Sequence, residues 1–375
     1  MTRPRVLFLT TSFPTAEAPA DGVFVLEHAR AAAAHAEVAV LHLDRRHGAR
    51  GISVRRDDGG EFPVWRAAYP YRPTALSAMA HVAAGFAGFR AVRRSGFDPD
   101  LLHAHFFLSA IPGALLAALH RKPLVETEQW TIFLPEDPAR LSRPLLWAAR
   151  LSLRAARVVL PVSESLAAAM REAGIRGPFR VVPNAVDTAL FQPGTSRSPG
   201  ARLVTVGLLN HQKGIDVLLR AFSQLHRRRG DVRLEIVGDG PERLSYEELA
   251  RRLGLEAAVT FHGLLSKPAI AALLRESHVF ALASRFDNNP CVLVEAQASG
   301  LPIVASRVGG IPEVVDGAGF LVERDDPEAL AAALEQALAE PDRFDPAELA
   351  RRARSRYSHD EVGRVLAEIY RACTG

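Results

Sequence analysis

Short apolar runs, each long enough for one buried strand, alternate along this chain with stretches of helical periodicity. One series of runs lies near residues 6–9, 38–43, 101–105, 124–126, 158–162 and 180–182. A second lies near residues 203–206, 233–237, 259–261, 279–283, 303–305 and 319–322. Helical patterns fit between them, among others at 23–35, 163–173, 214–228, 246–253, 268–277 and 327–338. Parallel strands can be joined only by a crossover, and the helices of those crossovers cover both faces of the sheet. The chain is therefore read as α/β, built in two halves. Residues 191–200, FQPGTSRSPG, carry Pro, Gly and Ser without periodicity and are the expected linker.

A length of 375 residues accommodates two domains of ordinary size. Hydrophobic residues make up 48% and charged residues 23%, the balance of a soluble globular chain. Two cysteines, Cys291 and Cys373, provide no disulfide framework, so a reducing, cytoplasmic setting is expected. The basic start MTRPR precedes an apolar run of only four residues before Pro14, which suits a first strand better than a signal peptide. No run has the length and apolarity of a membrane span; the alanine-rich residues 74–89 come nearest and contain His81. Of 46 basic residues only Lys122, Lys213 and Lys267 are lysines. Coding bias accounts for the arginines, and a lysine in a motif becomes correspondingly informative, because an ammonium and a guanidinium are not equivalent.

Residues 284–315, SRFDNNPCVLVEAQASGLPIVASRVGGIPEVV, carry the densest signal. Asp287 and Glu295 lie eight apart around a turn that opens a helix. Asn289 has the character of an N-cap, and Pro290 suits a first helical position, where no N–H is needed. The amides of Cys291 and Val292 would then point out of the positive end of the helix and form an anion cradle suited to phosphate. Phosphate donors beside hydroxyl-binding carboxylates suggest a sugar nucleotide. The plain alternative is an ordinary capped amphipathic helix.

The same stretch resembles the group 1 (GT4) family of retaining glycosyltransferases with the GT-B fold. Their signature has two glutamates separated by seven residues, an EAxAxG-P-V run and a G-G-x-x-E turn. Here Glu295 opens the run 295–304 and Gly309, Gly310 and Glu313 form the turn, while Asp287 stands for the first glutamate. The resemblance implies two Rossmann-like domains facing each other across a cleft. The N-terminal, acceptor-side domain is expected at 1–190 and the donor domain at 201–356, with the helix at 359–375 returning to the first. It also implies donor contacts from Gly22, Lys213, Asp287, Asn288, Asn289, Val292, Leu293 and Glu295. Glu295 would take the ribose hydroxyls and Asp287 those of the transferred sugar.

Residues 206–222, VGLLNHQKGIDVLLRAF, pass from a strand through a polar turn into an amphipathic helix. The family pattern V-G-R-L-x-x-x-K-G is matched at Lys213, the expected diphosphate ligand, but its arginine position is Leu208. In LLHAHF the side chains of His103 and His105 share a strand face at the strand's C-terminal end, where open α/β sheets bind ligands. They resemble the family's H-x-H on the acceptor side, with His105 expected to position the acceptor hydroxyl. Gln129, after the strand at 124–126, is a further acceptor-side candidate. A third metal ligand is lacking near the histidines, and Asp98 and Asp100 precede a strand as turn residues, so no metal is expected. The segment 181–191 matches P-N-G-V-D-x-x-x-F with Ala185 for the glycine; Asn184 and Asp187 are turn-formers. Gly238–Arg243, GDGPER, lacks the third glycine of a dinucleotide fingerprint, which disfavours a nicotinamide enzyme.

The favoured function is transfer of a hexosyl-type sugar from a UDP- or GDP-sugar to a glycan or lipid-linked acceptor with retention, in cell-surface polysaccharide or glycolipid synthesis. No cofactor and no nucleic-acid partner are expected. Arg143, Arg150, Arg154 and Arg157, with Leu145, Leu146, Trp147, Leu151 and Leu153, suggest a helix that could dock peripherally on the inner face of a membrane; its alternative is a core helix with a solvated face. Two rival functions remain. A glycoside hydrolase needs an acid and a nucleophile across the sugar, whereas Asp287 and Glu295 flank one turn. A non-catalytic sugar-binding module is the other.

Overall fold

The computed structural model describes residues 3–71, 74–194 and 200–375. It divides into two compact units, Met1–Ala185 with His359–Gly375, and Val186–Ser358. Each unit is built on a largely parallel sheet whose strands are joined through helices, so the fold is α/β.

The first unit is a seven-stranded sheet. Its strands are β1 (Arg5–Thr10), β2 (Glu37–Arg46), β3 (Ser53–Asp57), β4 (Val64–Pro70), β5 (Leu101–His105), β6 (Leu124–Glu128) and β7 (Val158–Pro161), in the order β3-β4-β2-β1-β5-β6-β7. Only β3 runs antiparallel. Leu7 and Leu9 of β1 enter one core while Val6 and Phe8 enter the other, so the strand is apolar on both faces. The second unit has six parallel strands, β8 (Arg202–Val206), β9 (Arg233–Val237), β10 (Val259–Gly263), β11 (Val279–Leu282), β12 (Ile303–Ser306) and β13 (Gly319–Val322), ordered β10-β9-β8-β11-β12-β13. Leu203 packs on one face of β8, and Val204 and Val206 pack on the other.

Three sequence expectations need correction. Residues 180–182 are not a ladder strand. They run beside β7 through Arg180 N–H to Val159 O (3.0 Å) and Val182 N–H to Pro161 O (3.1 Å), but Pro178 and Pro183 have no N–H to extend the pairing. Strands β3 and β4 were hidden by their arginines. Arg66 in β4 is buried because its guanidinium reaches His42 Nδ1 (3.1 Å) and Pro14 O (2.9 Å). The division between units falls at Ala185–Val186, ahead of residues 191–200. Phe191 belongs to the core of the second unit, and 195–199 lie outside the described residues.

The C-terminal helix His359–Thr374 belongs to the first unit and lies against the helix Val23–Ala33. Gly363 permits that approach, since a Cβ there would sit 2.2 Å from Ala31 O. His359 Nε2 meets Glu27 at 2.7 Å, and Tyr370 OH meets His103 Nδ1 at 2.7 Å. Among the described residues no helix is long and apolar enough to cross a membrane; the alanine-rich run lies in the helix Thr74–Arg94.

Candidate active site

In the second unit the donor-side candidates gather at the C-terminal ends of β8 and β11. After β8, Asn210 Oδ1 accepts from Lys213 N–H (3.3 Å) and closes a single 3₁₀ turn. Gly214 follows at φ 59°, where a Cβ would lie 2.1 Å from Ala283 O; only glycine lets this turn meet the end of β11. The two loops are then stapled together. Arg285 N–H donates to Gln212 O (2.7 Å), and Gln212 Nε2 donates to Phe286 O (3.0 Å). The Arg285 guanidinium forks onto Asp216 (3.0 and 2.8 Å) and also reaches Asp325 (2.7 Å).

This frame brings Lys213 Nζ to 2.6 Å from Asp287 Oδ2. Both side chains are largely enclosed, and Asp287 also accepts from Ser284 Oγ (3.3 Å) and Asn288 N–H (3.1 Å). Asn288 and Asn289 are buried beside it. Sequence reasoning placed Lys213 and Asp287 in one site without foreseeing their direct pairing. Leu208 is 55% exposed, and its side chain offers no donor to a diphosphate. Arg285 does not stand in for the absent arginine, because its guanidinium is committed to Asp216 and Asp325.

The helix of the motif is Cys291–Ala298, and its N-cap is Pro290 in extended conformation, one residue later than Asn289. Proline fixes its own φ and keeps the residue before it out of the helical region. Leu293 N–H is consequently turned inward onto Pro290 O (3.0 Å), so it is not the anion donor that the sequence suggested. Val292 remains at the open end of the helix. Glu295 is 3% exposed, and its Oε1 lies 2.6 Å from Lys267 Nζ. Sequence reading gave Lys267 no role; the scarcity of lysine was the signal available.

In the first unit, Gly22 sits at φ 64° before the helix Val23–Ala33, with Ser12 O 2.3 Å from where a Cβ would be. His105 ends β5 fully buried, stacked on Phe8 at 4.9 Å, with His103 at 4.5 Å and His28 at 5.6 Å. Burial, reinforced by His103 and His28, holds its pKa well below the ordinary histidine value. Among the described residues neither ring nitrogen of His105 has a hydrogen-bond partner. A neutral imidazole there keeps one donor and one acceptor for a ligand hydroxyl or water.

His103 shares that face, but both its nitrogens are engaged, by Tyr370 OH (2.7 Å) and Thr127 Oγ1 (2.8 Å). It bolts the C-terminal helix to the sheet and is not placed to bind an acceptor. Gln129 Nε2 donates to Asn184 Oδ1 (3.1 Å). His28, which sequence reading missed, bonds Pro183 O through Nε2 (3.0 Å), and burial lowers its pKa to about 4. Glu126 and Glu128, two apart on β6, are also buried. Glu128 accepts from the N–H groups of Phe107 (3.0 Å), Gln129 and Trp130 (both 2.9 Å), yet burial still raises its pKa to about 7. Among the described residues no group of three or more His, Cys, Asp or Glu is arranged to hold a metal ion.

The model of the glycosyl transferases group 1 family matches residues 187–356, and that of glycosyltransferase family 4 matches residues 22–190. A D-inositol 3-phosphate glycosyltransferase of Corynebacterium urealyticum is 30% identical over 80% of this chain and 76% of its own. The chain belongs to the group 1 glycosyltransferases.

A phosphatidylinositol N-acetylglucosaminyltransferase component of Arabidopsis thaliana is 29% identical over 51% of this glycosyltransferase, which spans only 43% of that relative. Among solved structures, Anabaena HepE in complex with UDP matches the fold with a TM-score of 0.77 at 22% identity, covering 98% of this chain and all of that one. A sucrose-phosphate synthase of Thermosynechococcus elongatus matches with a TM-score of 0.79 at 22% identity, covering 98% of each chain. The fold is accordingly α/β of the GT-B class. The two family models meet within residues 187–190, close to the structural division at Ala185–Val186.

Proposed function

We propose that this glycosyltransferase moves a hexosyl-type sugar from a UDP- or GDP-sugar to a glycan or lipid-linked acceptor, with retention at the anomeric carbon and without a metal. The observation that carries the donor reading is the Lys213–Asp287 pair, 2.6 Å apart at the strand ends beside the open end of the helix Cys291–Ala298. Lys213 and the amide of Val292 stabilise the diphosphate as negative charge grows on it, the arrangement that lowers barriers for leaving anions. Asp287 takes hydroxyls of the transferred sugar and Glu295 those of the ribose. His105 positions the acceptor hydroxyl, with Gln129 on the same side.

The relatives support this reading. One is named for D-inositol 3-phosphate, another for phosphatidylinositol, and the HepE structure contains UDP. Synthesis of a cell-surface polysaccharide or glycolipid at the cytoplasmic side of a membrane is the corresponding setting.

Incubation of the intact chain with UDP-, GDP- and ADP-sugars, with and without EDTA, tests it. Slow release of one nucleotide, unchanged by EDTA, is expected. Release from none of them would make the chain a sugar-nucleotide binding protein. Release abolished by EDTA would overturn the metal-free chemistry, and cleavage of simple glycosides without nucleotide would make it a hydrolase.

A further inference from the structure

Two of the three lysines in this chain pair with the two acids of one motif. Lys213 has a role in the reading above, and Lys267 does not. Its place is costly: Lys267 is the first residue of the helix Lys267–Glu276, which Ser266 caps and whose first turn holds no acid. A cation at the positive end of a helix is disfavoured by the helix dipole. What offsets that cost is an ion pair of 2.6 Å with a carboxylate whose side chain is only 4% exposed. The Phe191 ring lies 5.7 Å from the ammonium. An ionised carboxylate accepts several hydrogen bonds and an ammonium only donates, so a lysine fixed on Oε1 orients the group and leaves it lone pairs for other donors.

We propose that Lys267 is a positioning residue for nucleotide recognition, holding the Glu295 carboxylate as a double acceptor for the ribose diol and thereby selecting ribonucleotides over 2′-deoxyribonucleotides. The inference rests on the assignment of Glu295 to the donor ribose. A vicinal diol supplies two donors to one carboxylate, and the deoxy sugar supplies one. Losing a hydrogen bond to a charged group costs about tenfold or more in affinity. Without the ammonium, Glu295 loses its orientation and a buried carboxylate loses its counter-charge.

The test uses calorimetry on the intact chain with UDP, GDP and their 2′-deoxy counterparts, for wild type, Lys267→Met, Lys267→Gln, Lys267→Arg and Glu295→Gln. Lys267→Met and Lys267→Gln are expected to weaken the ribonucleotides by about tenfold, the scale of one charge-assisted bond, and the deoxynucleotides by less. The ribo-to-deoxy ratio thus shrinks, and kcat at saturating donor stays within about twofold. Lys267→Arg, which keeps the charge, restores part of the ratio.

Equal loss for both sugar types, or no loss, would overturn the proposal, since a merely structural lysine leaves the ratio unchanged. Lys267→Gln keeps the test available if Lys267→Met does not fold. If Glu295→Gln leaves ribonucleotide affinity intact, the nucleotide site itself has been misassigned. If Glu295→Gln weakens binding and the Lys267 variants do not, only the lysine inference fails.

Discussion

Asp287 and Glu295 carry the same charge in one motif but stand in different surroundings. Asp287 accepts from a lysine, a serine hydroxyl and a backbone amide at a loop junction, whereas Glu295 is enclosed on a helix against Lys267. The two therefore separate experimentally. Glu295→Gln should weaken free nucleotide binding, while Asp287→Asn should leave nucleotide affinity nearly intact and lower transfer; calorimetry with free UDP or GDP beside a transfer assay reads both, and the opposite pattern would mean the two roles are reversed. The carboxyl pair on β6 makes a different statement. Burial first, then the neighbouring Glu128, holds Glu126 well above the ordinary carboxylate range. An acid raised in this way is protonated in the fold where the unfolded chain would ionise. Its stability contribution is therefore full below the ordinary value and is lost as pH rises through the folded one. Glu126→Gln, neutral at every pH, should add more stability at pH 8 than at pH 4.5, read as a larger rise in Tm, by up to roughly 1.4 kcal/mol for each pH unit between the unfolded and folded pKa values of Glu126. An equal change at both would show that Glu126 carries no such penalty. Lys213 and the two motif acids were legible in the sequence because turn chemistry and the rarity of lysine marked them. Lys267 shared that rarity but stood in no turn motif, and His28 and the Glu126–Glu128 pair were hidden because their burial depends on the packing above them.

Among elements, buried parallel strands were the most readable, since a strand covered on both faces is a continuous apolar run bounded by turns. The edge of the first sheet was not, because β3 is short and its arginines face solvent, while Arg66 breaks the apolar run of β4 and is buried only through His42 and Pro14. Cap position shows another limit. Asn289 and Pro290 fit an N-cap and first-turn pattern by residue type, yet the start of the helix moved one residue, and that shift decides which amide can meet a phosphate. The helix Arg143–Arg154 divides its residues between core and solvent. Leu153 is buried and Arg150 donates to Ala173 O (2.8 Å), whereas Trp147 (64%) and Leu151 (56%) are exposed with Arg143, Arg154 and the nearby Arg157. Near an anionic leaflet each free basic residue contributes about 1 kcal/mol. Sedimentation with anionic vesicles should exceed that with neutral ones and fall with salt. Equal binding to both, or binding insensitive to salt, would identify this face as merely solvated.

At the scale of the whole molecule, the halves were readable from the repeated strand-and-helix order, but their boundaries depend on packing. The returning helix joins the first unit through Gly363, His359 and Tyr370, contacts to residues about 330 and 270 positions away that no local pattern encodes. The proposed chemistry assigns donor binding to the second unit and acceptor positioning to the first, so one comparison tests that division. Transfer kinetics and nucleotide affinity should be measured side by side for Lys213→Ala and His105→Ala. Lys213→Ala should lower kcat/KM by roughly 100-fold or more and weaken nucleotide, as loss of a donor to the leaving anion does. His105→Ala should lower transfer with nucleotide affinity within about twofold of wild type. Wild-type-like turnover of Lys213→Ala would show that Lys213 does not hold the leaving diphosphate.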